Sequence, residues 1–194
     1  MRPRHARRIV VVGTTGSGKT RLARVLARRL DIRHVELDAL HWGPNWTEVP
    51  DATFRERTAR AVAGDACVVD GNYHAVRDLV WPRAEMVVWL DYSFPRVMWR
   101  LLRRTIWRLV TREQLWNDNR ERLREQLFSR RSLFLWALRT YGRRRREYAA
   151  LFELPEHAHL HVVRLRSPRA TREWLAGITD RGPMVRCRHE TREA

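Results

Sequence analysis

The feature that most constrains this chain is one eight-residue segment, Gly13-Thr14-Thr15-Gly16-Ser17-Gly18-Lys19-Thr20. Its spacing, G-x-x-x-x-G-K-[ST], is typical of a loop whose backbone N–H groups close around phosphates. The segment follows the β-branched run 9–12 and precedes apolar residues at helical spacing, which predicts a strand–loop–helix unit. Such a unit brings phosphate to a helix N-terminus. We therefore expect all eight residues to bind a nucleotide.

Lys19 is the only lysine among the 39 basic residues of this 194-residue chain. An ammonium is a compact point charge that fits under a phosphate inside a tight loop, whereas a guanidinium is a wide planar fork. We expect Lys19 to neutralise phosphoryl charge and the hydroxyl of Thr20 to ligate Mg²⁺. The structural alternative is a glycine turn that only joins a strand to a helix.

The pattern of apolar runs predicts an α/β fold with a five-stranded parallel sheet and helices on both faces, in three α/β/α layers. Strands are predicted at 9–12, 34–38, 66–70, 85–91 and 160–165, and helices from Thr20 and at 53–63, 95–110 and 168–176. One domain covers 1–180, and an arginine-rich helical insertion at about 105–145 is expected to form a lid. The polar segment 181–194 is expected to be a loose tail.

Three predicted strands end in aspartate, and the carboxyl ends of parallel strands border the ligand crevice. Asp70 precedes Gly71 and fits a carboxylate that holds Mg²⁺ through water; the alternative is a turn cap. Asp38 fits a catalytic carboxylate that faces the hydroxyl of an acceptor, or else a helix cap. For Asp91 we favour capping of the next helix.

The formal net charge of +17 fits a nucleic-acid partner, a phosphorylated substrate or an arginine-rich proteome. No apolar run approaches the length of a membrane span and no signal-peptide pattern is present, so we expect a cytoplasmic protein without a membrane partner. Five tryptophans in predicted strands or helices are expected in the core: Trp89, Trp99, Trp107, Trp136 and Trp174.

With the phosphate loop, Asp38, Asp70-Gly71 and an arginine-rich insertion in this order, the chain resembles the nucleoside monophosphate kinase-like P-loop kinases. It looks most like the adenylate kinase-related DNA topology modulation proteins, over the stretches 12–20, 37–42 and 69–73. The resemblance implies a P-loop NTPase fold, ATP with Mg²⁺, and a mobile lid that closes on the phosphates. It also implies that Arg103 or Arg104, and one arginine of the run 143–146, act as lid cations.

The chain departs from adenylate kinases after Asp70-Gly71. Those enzymes continue with Phe-Pro-Arg, whose arginine engages the acceptor phosphate, whereas this chain continues with Asn72-Tyr73-His74. The resemblance therefore does not carry AMP over as the acceptor.

The function that the sequence favours is an ATP-dependent phosphotransferase for a nucleotide or another small-molecule acceptor, with Lys19, Asp38, Arg103 and Arg104 as its catalytic residues. One alternative is a nucleic-acid-associated ATP-binding protein, although no helix-turn-helix, zinc-finger or RNA-binding motif is recognisable. A third possibility is an NTPase switch that has no acceptor.

Overall fold

In this computed structural model the described residues are 4–111, 133–178 and 184–185. The strands are β1 Arg4–His5, β2 Arg8–Gly13, β3 Arg33–Glu36, β4 Cys67–Asp70, β5 Met86–Leu90, β6 His161–Leu165 and β7 Met184–Val185. The helices are α1 Lys19–Leu30, α2 Leu37–His41, α3 Asp51–Ala61, α4 Arg77–Val80, α5 Phe94–Thr111, α6 Leu133–Leu151 and α7 Pro168–Ala176. The middle of the predicted lid and most of the predicted tail lie outside the described residues.

The central sheet has five parallel strands, as predicted, and their order is β3-β4-β2-β5-β6. The register pairs Glu36 with Asp70 and Gly13 with Leu90, so the carboxyl ends of these strands share one edge. Within the expected tail, β7 pairs antiparallel with β1 as a separate two-stranded sheet.

Side chains of β2 alternate between two apolar layers. Ile9 and Val11 pack with the buried residues of α1, whereas Val10 and Val12 pack on the other face. That second face is covered by residues that include Phe54, Trp81 and Phe152. Full burial of one valine or isoleucine side chain stabilises the folded state by roughly 1.5–3 kcal/mol. Helices thus cover both faces of the sheet, which confirms the predicted three-layer arrangement.

The second predicted strand is shorter than expected. It ends at Glu36, and Asp38 lies inside the short helix α2. Leu37 is buried, and its Cβ lies 2.7 Å from the position that a Cβ on Gly71 would take. The chain therefore turns inward at Leu37, and Asp38 reaches the edge of the sheet from a helix. The prediction that Asp38 closes a strand is wrong.

Two tryptophans expected in the core lie on the surface. Trp99 and Trp107 are 64% and 66% exposed, whereas Trp89 is buried. The buried face of α5 uses Val97 and Leu101. The prediction that Trp99 and Trp107 lie in the core is therefore wrong. It failed because helical spacing identifies an apolar face but does not show whether another element covers that face. In the described part of the chain, no helix combines the length and apolar character needed to cross a bilayer.

Candidate active site

The loop between β2 and α1 has the geometry of a phosphate cradle. Gly13, Gly16 and Gly18 have φ values of 152°, 83° and 92°, which side chains rarely allow. A Cβ on Gly13 would lie 2.8 Å from the carbonyl oxygen of Leu90. The Ser17 N–H donates to the Thr14 carbonyl at 3.1 Å, which closes the loop. The backbone needs glycine at these points, because protein atoms already occupy the places that Cβ atoms would take. A glycine loop of this kind can turn its backbone N–H groups toward a phosphate.

Lys19 is half-buried at the start of α1, as the motif predicts. Burial lowers the pKa of its ammonium below the ordinary lysine value. The carboxylates of Asp38 and Asp70 act in the opposite direction, while Arg144 and Arg104 lower the pKa further. The ammonium therefore lies among two carboxylates and two guanidiniums, and a bound phosphate would stabilise its charge.

Thr20 and Asp70 lie together, as expected for a magnesium site. The Thr20 hydroxyl donates to Oδ2 of Asp70 at 2.6 Å, and His34 Nε2 lies 2.7 Å from Oδ1. Asp70 is 2% exposed. The described residues contain no group of three or more His, Cys, Asp or Glu side chains that could hold a metal alone. The oxygen donors fit Mg²⁺, which keeps several waters and takes further oxygens from phosphates.

Asp38 has a different set of partners from Asp70. The Tyr73 hydroxyl donates to Oδ1 of Asp38 at 2.6 Å, across the turn that follows β4. Burial and the adjacent Asp38 charge raise the pKa of Tyr73, so its phenol remains a proton donor to the carboxylate. The rings of His41 and Phe54 pack on Tyr73 at centroid distances of 4.6 and 5.1 Å. Asp38 is thus held in place by Tyr73, which packs in an aromatic cluster whose buried member is Phe54.

Asn72 connects this turn to the phosphate loop. Its side-chain amide donates to the carbonyl of Gly13, and the Gly13 N–H donates to its Oδ1 at 3.4 Å. The sequence analysis named Asn72 as part of the resembling stretch 69–73 and as a departure from adenylate kinases, and it assigned no role to the side chain. In the structure it fixes the first residue of the loop.

Two arginines of α5 lie near the phosphate loop. A Cβ on Gly18 would lie 2.5 Å from Nη2 of Arg100, so this guanidinium lies directly on the loop. Arg104, one turn further along, acts electrostatically on Lys19. Arg103 is exposed and lines an apolar groove with Trp99, Leu102, Ile106, Trp107 and Val110. Sequence reasoning named Arg103 and Arg104 and missed Arg100, whose i, i+4 spacing to Arg104 was the available signal.

Arg144 is the arginine of the 143–146 run that reaches the site. It is half-buried, and burial lowers its pKa, while nearby Tyr148 and Glu147 oppose this effect. Its charge lowers the pKa of Lys19, and Tyr73 in turn acts on the pKa of Arg144. Arg143 and Arg146 are exposed. The sequence could not choose among the four arginines.

Ion pairs hold α6 against the sheet. Asp91, which is buried, accepts from Arg145 at 2.9 Å and from Arg164 at 2.6 Å. A second pair joins Arg77 to Glu147 at 3.0 Å. Both oxygens of Asp91 are occupied by guanidiniums, so the expectation that Asp91 caps the next helix is wrong. These contacts fix the helix turn that carries Arg144.

No protein-family model and no curated protein sequence matches this chain. Among solved structures, the chain is similar to a gluconokinase from Sinorhizobium meliloti 1021. The TM-score is 0.51 at 22% identity, over 90% of this chain and 92% of that chain. It is also similar to a sugar kinase from Janibacter sp. HTCC2649, with a TM-score of 0.46 at 20% identity, over 94% of this chain and 99% of that chain. At such identities the likeness to the gluconokinase concerns the fold alone. Together with the parallel sheet and the glycine loop, it shows that the chain has the three-layer α/β/α fold of P-loop NTPases.

Proposed function

We propose that this protein is an ATP-dependent phosphotransferase that acts on a nucleotide or another small-molecule acceptor, with Mg·ATP bound at the loop 13–20. The observation that carries the proposal is the stretch from Asp70 to Tyr73, which contacts Thr20 of the phosphate loop through Asp70 and holds Asp38 at a second position through Tyr73. A nucleotide switch without an acceptor has no need for a carboxylate held at that second position.

On the donor side, the loop backbone and Lys19 bind the phosphates, and Arg100 and Arg104 add positive charge from α5. Thr20 and Asp70 would hold Mg²⁺, directly and through water respectively, and the ion would neutralise charge on the phosphates. Phosphoryl transfer depends mainly on positioning and on charge stabilisation. These side chains supply both.

On the acceptor side, Asp38 orients the attacking hydroxyl and receives its proton. The hydrogen bond from Tyr73 leaves one carboxylate oxygen of Asp38 for the acceptor and fixes its direction. The guanidinium of Arg144 stabilises the phosphoryl group as it passes from one side to the other. Arg103 remains a proposed lid cation, with Arg104 the better placed of the two.

The experiment is ADP release from Mg·ATP, with Lys19→Ala as the blank. The acceptor panel contains nucleosides, nucleoside monophosphates, neutral sugars, sugar acids and duplex DNA. The gluconokinase neighbour is the reason for including sugar acids. Stimulation by one small hydroxyl or phosphate compound supports the proposal and names its acceptor class.

Stimulation by DNA alone would support the nucleic-acid alternative instead. The finer resemblance to DNA topology modulation proteins stays a prediction, and the DNA arm tests it. ATP hydrolysis that none of the compounds stimulates would contradict the proposed transferase and support a nucleotide switch.

A further inference from the structure

The carboxylate of Asp70 is held from two sides, and only one of its partners belongs to the phosphate-loop motif. Thr20 donates to Oδ2 at 2.6 Å, and His34 Nε2 lies 2.7 Å from Oδ1. We infer that His34 is a positioning residue for the metal-binding carboxylate of Asp70, an inference that rests on the proposed function.

The strand register explains why His34 reaches Asp70. In the parallel pair of β3 and β4, His34 lies opposite Val68 and Glu36 lies opposite Asp70. Val68 packs in the same apolar layer as α1, so side chains in phase with it face the helix that begins with Lys19 and Thr20. His34 therefore extends along this face toward the carboxyl end of β4.

The contact between His34 and Asp70 is shielded from solvent. The Asp70 side chain is 2% exposed and that of His34 is 17% exposed, so little water is available to replace the imidazole. Removing the donor of a buried carboxylate oxygen costs free energy, because the oxygen is left without a hydrogen bond. The carboxylate can reduce this cost by rotating toward another partner. With both oxygens held, the Asp70 carboxylate has a fixed orientation in which it would accept from the water of a bound metal. Such partners of metal-site carboxylates typically change metal affinity by about 10- to 100-fold.

The neighbouring carboxylate on this face is already engaged. Glu36 lies beside Asp70 in the register, and Arg24 of α1 donates to it at 3.3 Å. Arg24→Gln therefore changes a polar contact on the same face without touching Asp70. It serves as the matched control.

The test measures Mn²⁺ binding by electron paramagnetic resonance, with and without ATP, and ATP binding by calorimetry in the absence of divalent metal. In His34→Leu and His34→Asn we expect the Mn²⁺ affinity of the ATP complex to fall about 10-fold, with metal-free ATP affinity unchanged. Asparagine keeps the site polar, but its amide falls short of the Nε2 position. Glutamine places an amide nitrogen close to Nε2, so His34→Gln should recover most of the affinity.

Several results would overturn the inference. Wild-type Mn²⁺ affinity in both His34→Leu and His34→Asn would show that the contact does not matter for the metal. Equal losses in His34→Leu and Arg24→Gln would indicate a general effect of packing on this face. A further loss from His34→Leu in an Asp70→Asn background would show that His34 acts independently of Asp70.

The same measurements separate the inference from the proposed function. If the wild-type protein binds no ATP, or if Lys19→Ala binds Mg·ATP as the wild type does, the proposed nucleotide site fails and the inference fails with it. The inference alone fails if the wild type binds Mg·ATP, Lys19→Ala does not, and the His34 variants keep the wild-type Mn²⁺ affinity.

Discussion

The hydroxyl of Thr20 donates to the carboxylate of Asp70 at 2.6 Å, although the two residues are 50 positions apart in the chain. One belongs to the glycine loop and the other ends the neighbouring strand β4. The contact joins the only two residues that the sequence assigned to magnesium. Their distance is the geometric relationship on which the metal part of the proposal depends.

Asp70→Asn should weaken the dependence on Mg²⁺ while keeping the shape of the side chain. An amide is a poorer partner than a carboxylate for metal-bound water, and it can also donate to Thr20, which reverses the hydrogen bond. We expect the Mg²⁺ concentration for half-maximal activity to rise by about 10-fold or more. A magnesium titration at saturating ATP measures this, and an unaltered midpoint would move the metal role to another carboxylate.

ATP binding should take up protons in alkaline solution. Burial lowers the pKa of unliganded Lys19 below its ordinary value of 10.5, and bound phosphates raise it again. As the pH rises toward 10.5, a growing fraction of free protein must gain a proton to bind, so affinity falls. Calorimetry at pH 9 to 10 in two buffers of different ionisation enthalpy measures the uptake. The uptake should vanish in Lys19→Met, and a wild type without uptake would contradict the prediction.

Arg144→Ala should lower kcat far more than Arg143→Ala or Arg146→Ala. All three lie on the same helix, but only Arg144 is half-buried and interacts with Lys19. Loss of one preorganised cation from a transition-state site typically costs about 10²- to 10³-fold in kcat. Arg143 and Arg146 are exposed, so their variants should stay within about twofold, as is usual for surface changes. Similar losses in all three would indicate a diffuse electrostatic effect.

Arg104→Ala should reduce turnover more than Arg103→Ala. Arg104 acts on Lys19, whereas Arg103 lies along an exposed apolar groove. Steady-state kinetics of both variants, with the Kd for ATP measured separately, distinguishes loss of binding from loss of transition-state stabilisation. A larger kcat defect in Arg103→Ala would show that Arg103 is the lid cation.

Asp91→Asn should lower the free energy of unfolding by about 2–3 kcal/mol. This loss is smaller than the loss from breaking a fully buried ion pair, because the two arginines that contact Asp91 are partly exposed. Asp78→Asn is the matched control, since the pair of Asp78 with Arg55 is exposed and should contribute little to the free energy of unfolding. Urea unfolding of both variants gives the two free energies. Equal losses would contradict the proposal that Asp91 holds α6.

The sequence predicted the sheet, the loop and the Thr20–Asp70 pair because each follows from a local pattern. The β-branched runs give the strands, the glycine spacing gives the loop, and parallel strands bring their ends to one edge. These inferences do not require knowledge of how helices dock.

The residues that were missed depend on docking. Arg100 reaches Gly18 because α5 packs across the loop, and Arg144 is selected because ion pairs fix the orientation of α6. His34 is visible only from the register of an edge strand. The exposure of Trp99 has the same origin, since helical spacing identifies an apolar stripe but not its neighbour.

The four residues from Asp70 to Tyr73 contact four different partners in succession. Asp70 meets Thr20, Gly71 accommodates Leu37, Asn72 holds Gly13 and Tyr73 holds Asp38. Each contact depends on the backbone position and direction of one residue, and all four residues of the stretch take part in a contact. Individual substitutions here would damage one contact each, whereas inserting or deleting a single residue would misalign all of them together. We therefore expect the protein to tolerate changes in length only in segments outside this stretch.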